Sequence, residues 1–259
     1  MLHFPPAKIN LGLRILRKRG DGFHDLETCF YPVQQCNDVL EMLEAPVKGL
    51  KVYHADWDGP VEKNLVWRAM EMFRQYEKDL PPLQWNLLKN IPSGAGLGGG
   101  SSDAASALRL MAEFSGWKSD DPRLFEMAAR LGSDCAFFLM NGPAIGQGRG
   151  EVLEPISIDL SAFEIRLVLP DIHISTAEAF ANVRPEIPQT SLREILNHPP
   201  DAWKDVLVND FEKSVFIIYP ELLAEKEKLY AEGAVYASLS GSGSALYGLF
   251  PKGSGNPAD

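Results

Sequence analysis

The amino-acid sequence predicts an α+β protein, because strand-like and helix-like segments are interleaved without strict alternation. Over Ile9–Leu16, apolar residues alternate with other residues, which is the pattern of a half-buried strand. Residues 64–80 instead place apolar side chains at helical spacing. Residues 101–116 and 120–132 then form two helical segments in succession, with no strand between them. This succession argues against a regular βαβ arrangement.

The other elements of the first half are mostly extended. A Gly-Asp-Gly turn at residues 20–22 separates the first strand from a second. The helix at 120–132 has its N-cap at Asp120 or Asp121, a proline in its first turn and Gly132 past its end. Patterns typical of strands cover residues 27–34, 38–45, 50–55 and 83–92.

The second half begins with an extended, glycine-rich segment at residues 142–156. The elements predicted after it are a strand over Phe163–Pro170, a short helix over 175–183 capped by Ser175 or Thr176, a loop with one helical turn over 185–200, a helix over 211–233 that Pro220 interrupts, and a strand, a small-residue loop and a strand or helix over 235–250.

Composition limits the classes of partner. The chain has 259 residues and a net charge of −10, which argues against nucleic acid but allows a small anionic substrate. Its 3 cysteines show no CxxC spacing, which favours free thiols in a reducing compartment. We find no signal-peptide pattern, and no apolar run approaches the roughly 20 residues that span a bilayer. We therefore expect a cytoplasmic protein without a membrane partner.

A glycine loop is the strongest local signal. Gly94 to Gly99 satisfies GxGxxG, but a Rossmann fold needs a strand after the following helix, and here a second helix follows. No Walker GxxxxGK[ST] sequence occurs, and the HRD and DFG motifs of protein kinases are absent. What is left is a glycine loop whose Ser101 and Ser102 open a helix, and a helix N-terminus attracts phosphate. The alternative is an ordinary glycine-rich turn with a serine cap.

Three segments resemble the motifs of the GHMP kinases, small-molecule kinases named after galactokinase and the homoserine, mevalonate and phosphomevalonate kinases. Pro92–Ala105 resembles the central motif, Pro6–Leu11 the first and Ser240–Ser244 the third. The resemblance implies ATP and Mg²⁺, and a fold of two subdomains with the active site in the cleft between them. It implies an N-terminal ATP-binding half over residues 1–155 and a C-terminal half over 156–259.

Within this family, residues 19–28 (RGDGFHDLET) and 131–139 (LGSDCAFFL) are most similar to kinases of the non-mevalonate isoprenoid pathway. The resemblance implies a small-molecule cytidine diphosphate substrate, and we expect a monomer or a homodimer. Another GHMP kinase is the nearest alternative, and the cytidine-reading turn with Phe23 and His24 argues against it. A catalytically inactive nucleotide or sugar sensor is the second alternative, and the presence of both Lys8 and Asp134 argues against that.

The resemblance assigns the catalytic roles to Asp134 and Lys8. Asp134 matches the aspartate of the family's Gly-[Ala/Ser]-Asp segment, and a carboxylate there can accept the proton of an attacking hydroxyl. On residue type alone, a helix N-cap is the commoner role for an aspartate after Gly-Ser, and the two roles are compatible. Lys8 matches the lysine of the first motif, and the resemblance places it beside Asp134, where a cation keeps a carboxylate ionised. Without the resemblance, a solvated lysine on a strand edge is the commoner situation.

The binding residues follow from the same motifs. The family reads cytosine with a stacking aromatic ring and a histidine, here Phe23 and His24, and many relatives carry tyrosine in place of Phe23, so a bond from a phenol oxygen is lost here. The substrate set implied is Asn10, Phe23, His24, Thr176, Phe180, Gly241 and Ser242. The ATP set implied is Asn64, Pro92, Gly94, Gly96, Leu97, Gly98, Gly99, Gly100, Ser101 and Ser102.

Three details stay open at this point. The amide of Asn10 suits the substrate or a phosphate, and the Gly241–Gly243 turn suits the substrate's phosphates or closure against the nucleotide loop. No second acidic residue stands out as a Mg²⁺ ligand, and Ser101 or Ser102 is the candidate. Asp103 would repel a nearby triphosphate, so we expect it to point away or to reach a cation.

Overall fold

The computed structural model describes residues 1–54, 59–140, 142–181 and 183–253. Ala55 of the predicted strand at 50–55 and Asn182 of the predicted helix at 175–183 lie outside these ranges. None of the described helices is long and apolar enough to cross a membrane.

The strands are β1 (Leu2–His3), β2 (Pro6–Lys18), β3 (His24–Asn37), β4 (Val39–Glu44), β5 (Gly49–Tyr53), β6 (Leu83–Leu88), β7 (Ala144–Gly148), β8 (Val152–Pro155), β9 (Phe163–Val168), β10 (Tyr236–Leu239) and β11 (Leu246–Pro251). The α-helices are α1 (Leu65–Phe73), α2 (Gly99–Phe114), α3 (Pro122–Leu131), α4 (Thr176–Ala181), α5 (Leu192–Leu196), α6 (Glu212–Ile218) and α7 (Pro220–Ala231).

The chain folds into two compact units, which are interleaved along the sequence, and the glycine loop contributes residues to both. The first unit comprises Met1–Lys8, Pro32–Ser93 and Gly98–Asn141, and the second comprises Ile9–Tyr31, Gly94–Leu97 and Gly142–Asp259. The division into halves at residues 155 and 156 stays a prediction. The α+β class is confirmed, since helices and sheets occur in each unit.

The first unit combines a four-stranded sheet, in the order β1-β4-β6-β5, with helices α1, α2 and α3. Strand β5 runs parallel to β6, and the other pairs are antiparallel. The three helices contact one another, and α2 also contacts β4. Trp85 of β6 and Phe73 of α1 are fully buried in this unit.

Helix α1 is shorter than its sequence pattern predicts. It ends at Phe73 and not at Leu80. The guanidinium of Arg74 donates to the carbonyl of Leu80 at 2.8 Å and also to that of Pro81, so the segment after the helix folds back as a turn. Tyr76, which the helical spacing assigns to the buried face, is exposed.

The two successive helices of the first unit occur where the sequence predicts them. Helix α2 begins at Gly99, two residues earlier than predicted, after Gly98 in the left-handed region with φ 71°. Asp121, and not Asp120, caps α3, since its carboxylate accepts a hydrogen bond from the Arg123 amide at 3.0 Å.

The second unit contains the antiparallel sheet β10-β11-β9, helices α4 to α7 and most of the sheet β2-β3-β7-β8, whose strands β2 and β3 each begin or end in the first unit. Pro220 begins α7 and separates it from α6, as the interruption in the sequence pattern predicts. The segment after the small-residue loop is strand β11, which settles the choice between strand and helix. Leu13 and Ile15 of β2 are buried in one apolar cluster with Phe211 and Leu246.

Candidate active site

The two residues predicted to be catalytic lie together in the first unit. Lys8 Nζ lies 3.5 Å from Asp134 Oδ2, and the exposed fractions of the two side chains are 4% and 29%. Burial lowers the pKa of Lys8, and the nearby Asp134 carboxylate opposes that shift by stabilising the ammonium. The alternative of a solvated strand-edge lysine is therefore wrong.

Asp134 lies in the turn after Gly132, the residue that follows α3. The 3-10 turn that comes next, at Phe137–Leu139, has Ala136 as its N-cap. Asp134 is therefore not a helix N-cap in this structure, and its carboxylate pairs with Lys8 instead. The neighbouring Cys135 is buried, and burial raises the pKa of its thiol to about 11, which agrees with a packing role and not a nucleophilic one.

In the second unit, the third motif is hydrogen-bonded to the glycine loop. Ser240 Oγ donates to the Gly96 carbonyl at 3.0 Å, and the Ala245 amide donates to the Ala95 carbonyl at 3.1 Å. Gly96 has φ +77°, and a Cβ built on it would lie 2.0 Å from the Ser240 carbonyl oxygen. Only glycine fits this approach of two backbones. Gly94 is also left-handed, with φ +73°, and Leu97 is buried.

The remainder of the loop belongs to the first unit and forms the N-terminus of α2. A Cβ on Gly98 would lie 3.0 Å from Phe138 Cζ and 3.1 Å from Lys8 Cγ, so a side chain at residue 98 would crowd both Phe138 and Lys8. The first amide groups of a helix have no intrahelical acceptor and bind anions. Ser101 and Ser102 lie in this first turn, and within the described residues the buried Ser102 Oγ has no hydrogen-bond partner. These features fit a phosphate chain. The flanking Pro92 and Gly100 are exposed, and Gly99 is buried.

Asp103, on the second turn of α2, reaches a cation, as one of the two alternatives predicts. Lys89 Nζ lies 2.8 Å from Asp103 Oδ2 and also contacts Asp38. Asp38 Oδ1 in turn accepts hydrogen bonds from the amides of Asn90 and Ile91, at 2.6 and 2.8 Å. Burial raises the pKa of Asp103 to about 8, against the opposing effect of the Lys89 charge. This buried network ties α2 to the segment that precedes the glycine loop.

Asn64 is the N-cap of α1. Its Oδ1 accepts a hydrogen bond from the Val66 amide at 2.9 Å, and the residue is buried. This capping bond gives the Asn64 side-chain oxygen a structural role without any bound nucleotide. The assignment of Asn64 to the adenine stays a prediction.

In the second unit, two of the predicted cytosine-reading residues lie together. The rings of His24 and Phe180 are stacked, with centroids 4.7 Å apart and planes 17° from parallel. Phe23 is 53% exposed, and the guanidinium carbon of Arg149 lies 4.9 Å from its ring centroid. An exposed ring beside a cation is a surface on which a planar base can stack. Thr176 is the first residue of α4 and is exposed.

Asn10 and the third motif also lie together in the second unit. Asn10 is buried, its Nδ2 donates to Thr28 Oγ1 at 2.8 Å, and a Cβ on Gly241 would lie 3.4 Å from its Oδ1. Asn209 Nδ2 donates to the carbonyls of Leu239 and Gly241, both at 2.9 Å. The Asn209 amide therefore holds Gly241, the first residue of the turn that contains Ser242.

Four residues near these features were not singled out from the sequence: Thr28, Lys89, Arg149 and Asn209. Lys89 carried the clearest signal, because a lysine between a strand and a loop predicted to bind phosphate is a candidate charge partner. Among the described residues, no group of three His, Cys, Asp or Glu side chains is arranged as a metal site. A Mg²⁺ ion held mainly by phosphates and water does not need one.

Comparison with known proteins agrees with this geometry. The family model for the GHMP kinases N terminal domain matches residues 64–142, and that for the GHMP kinases C terminal domain matches residues 191–258. The chain is 47% identical over 258 residues to a 4-diphosphocytidyl-2-C-methyl-D-erythritol kinase of Bacteroides thetaiotaomicron, covering 98% of this chain and 93% of that protein. The corresponding kinase of Azobacteroides pseudotrichonymphae is 45% identical over 253 residues, covering 97% of this chain and 94% of the relative.

Solved structures extend the comparison to the fold. A crystal structure of a 4-(cytidine 5'-diphospho)-2C-methyl-D-erythritol kinase matches with a TM-score of 0.81 and 32% identity, over 96% of this chain and 90% of that one. A homoserine kinase from Cytophaga hutchinsonii shares the fold, with a TM-score of 0.72 and 16% identity over 97% of this chain and 85% of that one. The chain therefore belongs to the GHMP kinase family.

Proposed function

We propose that this chain transfers the γ-phosphoryl group of ATP to the 2-hydroxyl of 4-diphosphocytidyl-2-C-methyl-D-erythritol, in the non-mevalonate isoprenoid pathway. The observation that carries the proposal is the ion pair of Lys8 and Asp134, with 3.5 Å between Nζ and Oδ2. Full-length relatives that are 45 to 47% identical and carry this kinase's name support the choice of substrate.

Asp134 accepts the proton of the attacking hydroxyl. Its carboxylate is partly exposed, so a substrate can reach it, whereas the Lys8 ammonium beside it is buried. The Lys8 charge lies beside the carboxylate and draws the hydroxyl into place. Phosphoryl transfer depends mainly on positioning and charge, and one carboxylate paired with one ammonium meets that need.

The glycine loop and the N-terminus of α2 bind the triphosphate of ATP. Gly94, Gly96 and Gly98 take left-handed conformations that let the backbone follow the phosphates, and the Ser102 hydroxyl is available to a phosphate oxygen. Asn64 contacts the adenine. When bound, Mg²⁺ neutralises charge on the β- and γ-phosphates, and the hydroxyl of Ser101 or Ser102 would hold it.

Phe23 and Phe180 stack on the cytosine, and His24 reads the edge of the base. Arg149, next to Phe23, adds a cation at this position. Around the remainder of the substrate, Thr176 lies at the start of the helix that carries Phe180. Asn10, Gly241 and Ser242 complete the substrate-binding set.

The proposed domains are an ATP-binding half over residues 1–155 and a C-terminal half over residues 156–259. The protein acts in the cytoplasm as a monomer or a homodimer, and neither nucleic acid nor membrane takes part. The net charge of −10 supports the first exclusion, because a nucleic-acid binder presents a basic surface.

A panel of acceptors tests the proposal. ADP release is followed in a coupled assay with Mg-ATP and, in parallel, 4-diphosphocytidyl-2-C-methyl-D-erythritol, homoserine, mevalonate or no acceptor. We expect ADP release only with the cytidine substrate. ADP release only with homoserine or mevalonate would overturn the assignment of the cytidine substrate. If ATP binds but no acceptor causes ADP release, the alternative of an inactive sensor is favoured.

A further inference from the structure

The side chains of Asn10 and Thr28 form a buried hydrogen-bonded relay in the second unit. Asn10 Nδ2 donates to Thr28 Oγ1 at 2.8 Å, and Thr28 Oγ1 donates to the Gly12 carbonyl at 2.6 Å. Both side chains are almost entirely removed from solvent. Strand β2 carries Asn10 and Gly12, and strand β3 carries Thr28.

The chemistry of this relay fixes which end of the Asn10 amide faces Thr28. The carbonyl of Gly12 can only accept, so the single hydroxyl proton of Thr28 is directed to it. Thr28 Oγ1 then presents only a lone pair to Asn10, and only the amide NH₂ can complete that bond. The amide oxygen is consequently at the opposite end, near the third motif, where a Cβ on Gly241 would lie 3.4 Å from Oδ1.

The backbone around Asn10 is held as firmly as its side chain. The hydroxyl of the buried Tyr247 donates to the Asn10 carbonyl at 2.8 Å. Gly12 takes a left-handed conformation with φ +71°, and a Cβ on it would lie 2.6 Å from Leu207 Cδ1. The left-handed backbone favours glycine at this position, and any added side chain would also have to displace the end of the Leu207 side chain.

We propose that Thr28 is a positioning residue of the phosphoryl transfer, which sets the Asn10 amide with its oxygen on the side of the Gly241 turn. An amide oxygen accepts hydrogen bonds and repels phosphate oxygens. The sequence left Asn10 to bind either the substrate or a phosphate. With this orientation, set by Thr28, the amide oxygen of Asn10 binds a hydrogen-bond donor of the substrate and not a phosphate. This inference depends on the proposed function, since it concerns the same acceptor substrate.

A double-mutant cycle tests whether Thr28 acts through Asn10. Thr28→Val keeps the shape and removes both hydrogen bonds, so it deletes the contact with Thr28 that orients the Asn10 amide. We expect it to lower kcat with the cytidine substrate by about tenfold, with the KM for ATP changed by less than about twofold. Thr28→Ser restores the relay and the rate. In an Asn10→Ala background, Thr28→Val should change kcat by less than about twofold.

A structural role alone would give a different pattern. Equal losses from Thr28→Val with and without Asn10 would overturn the inference, and so would a Thr28→Val enzyme with the wild-type rate. Should Thr28→Val fail to fold, Thr28→Ala enters the same cycle. Wild-type inactivity towards the cytidine substrate would instead count against the proposed function.

An NMR measurement reads the relay without any turnover. The side-chain NH₂ signal of Asn10 is assigned by its loss in Asn10→Ala. We expect its hydrogens to exchange with solvent more slowly in the wild type and in Thr28→Ser than in Thr28→Val. Equal exchange in all three proteins would contradict the relay whatever the enzyme does.

Discussion

Lys8 Nζ lies 3.5 Å from Asp134 Oδ2, and the lysine is buried while the carboxylate keeps 29% of its side chain exposed. A buried ammonium is costly unless an opposite charge lies near it. The pair therefore leaves one carboxylate accessible beside a buried ammonium. A substrate hydroxyl can lose its proton to such a group.

Replacing this carboxylate should stop turnover without preventing nucleotide binding. We expect Asp134→Asn to lower kcat by about 10²- to 10⁴-fold, which is the usual contribution of a general base, and to change ATP affinity by less than about threefold. Steady-state assays and calorimetry measure the two effects. Asp205→Asn, at an exposed carboxylate, is the matched control and should leave both unchanged. An Asp134→Asn enzyme above one tenth of the wild-type rate would remove the base assignment.

The contact of Gly96 with the third motif predicts a steric effect on stability. In Gly96→Ala the new methyl group would lie 2.0 Å from the Ser240 carbonyl oxygen at φ +77°, so we expect the free energy of unfolding to fall by at least about 2 kcal/mol. Gly100 is the control in the same loop, since a Cβ there meets only Leu65 Cδ1 at 3.7 Å. Because Gly100 lies in α2, Gly100→Ala should keep or raise stability. Equal urea midpoints for the two variants would contradict the steric account.

The buried network of Lys89, Asp38 and Asp103 predicts a dependence of stability on pH. The folded-state pKa of Asp103, about 8, is raised above its usual value of 3.8 by burial. Between these two values the folded chain holds a proton that the unfolded chain has released. The contribution of Asp103 to stability is therefore fully present below its unfolded-state pKa and is lost as the pH rises towards the folded-state value.

Urea unfolding at pH 5 and pH 8 measures this effect. From pH 5 to pH 8, the wild type should lose at least about 1 kcal/mol relative to Asp103→Asn. Asp121→Asn serves as control, since its hydrogen bonds with Arg123 lower the pKa of Asp121 to about 2 and keep it ionised throughout. Parallel pH profiles for the wild type and Asp103→Asn would show that Asp103 does not hold the proton.

The stacked rings of His24 and Phe180 predict a selective effect on substrate binding. Removing the imidazole in His24→Ala deletes both the contact at 4.7 Å and the donor and acceptor that read the base. We expect the KM for the cytidine substrate to rise by about tenfold or more, and that for ATP by less than about twofold. His198→Ala, at an exposed histidine, should alter neither. Equal increases for both substrates would exclude His24 from base recognition.

The sequence was sufficient for the features that depend on local patterns. The order of the main elements and the interruption at Pro220 follow from residue types at fixed spacing, which also narrowed the cap of α3 to Asp120 or Asp121. The resemblance of the first motif and of the Gly-Ser-Asp segment to those of the family pointed to the pairing of Lys8 with Asp134, whose positions are far apart in the chain.

What local patterns could not provide are contacts between distant segments. The end of α1 at Phe73 depends on Arg74 reaching carbonyls that follow the helix. Lys89 joins Asp38 to Asp103 over long separations in sequence, and a lysine alone does not reveal which acids it will reach. Thr28 resembles any strand threonine until the fold brings its hydroxyl within hydrogen-bonding distance of the Asn10 amide.

The most direct test of the account is a ³¹P NMR time course of the purified protein with Mg-ATP and 4-diphosphocytidyl-2-C-methyl-D-erythritol. The account predicts that a new phosphomonoester resonance and the signals of ADP grow together, while the diphosphate resonances of the cytidine substrate persist. ATP that stays intact, or ATP hydrolysed to inorganic phosphate with no phosphomonoester formed, would contradict it.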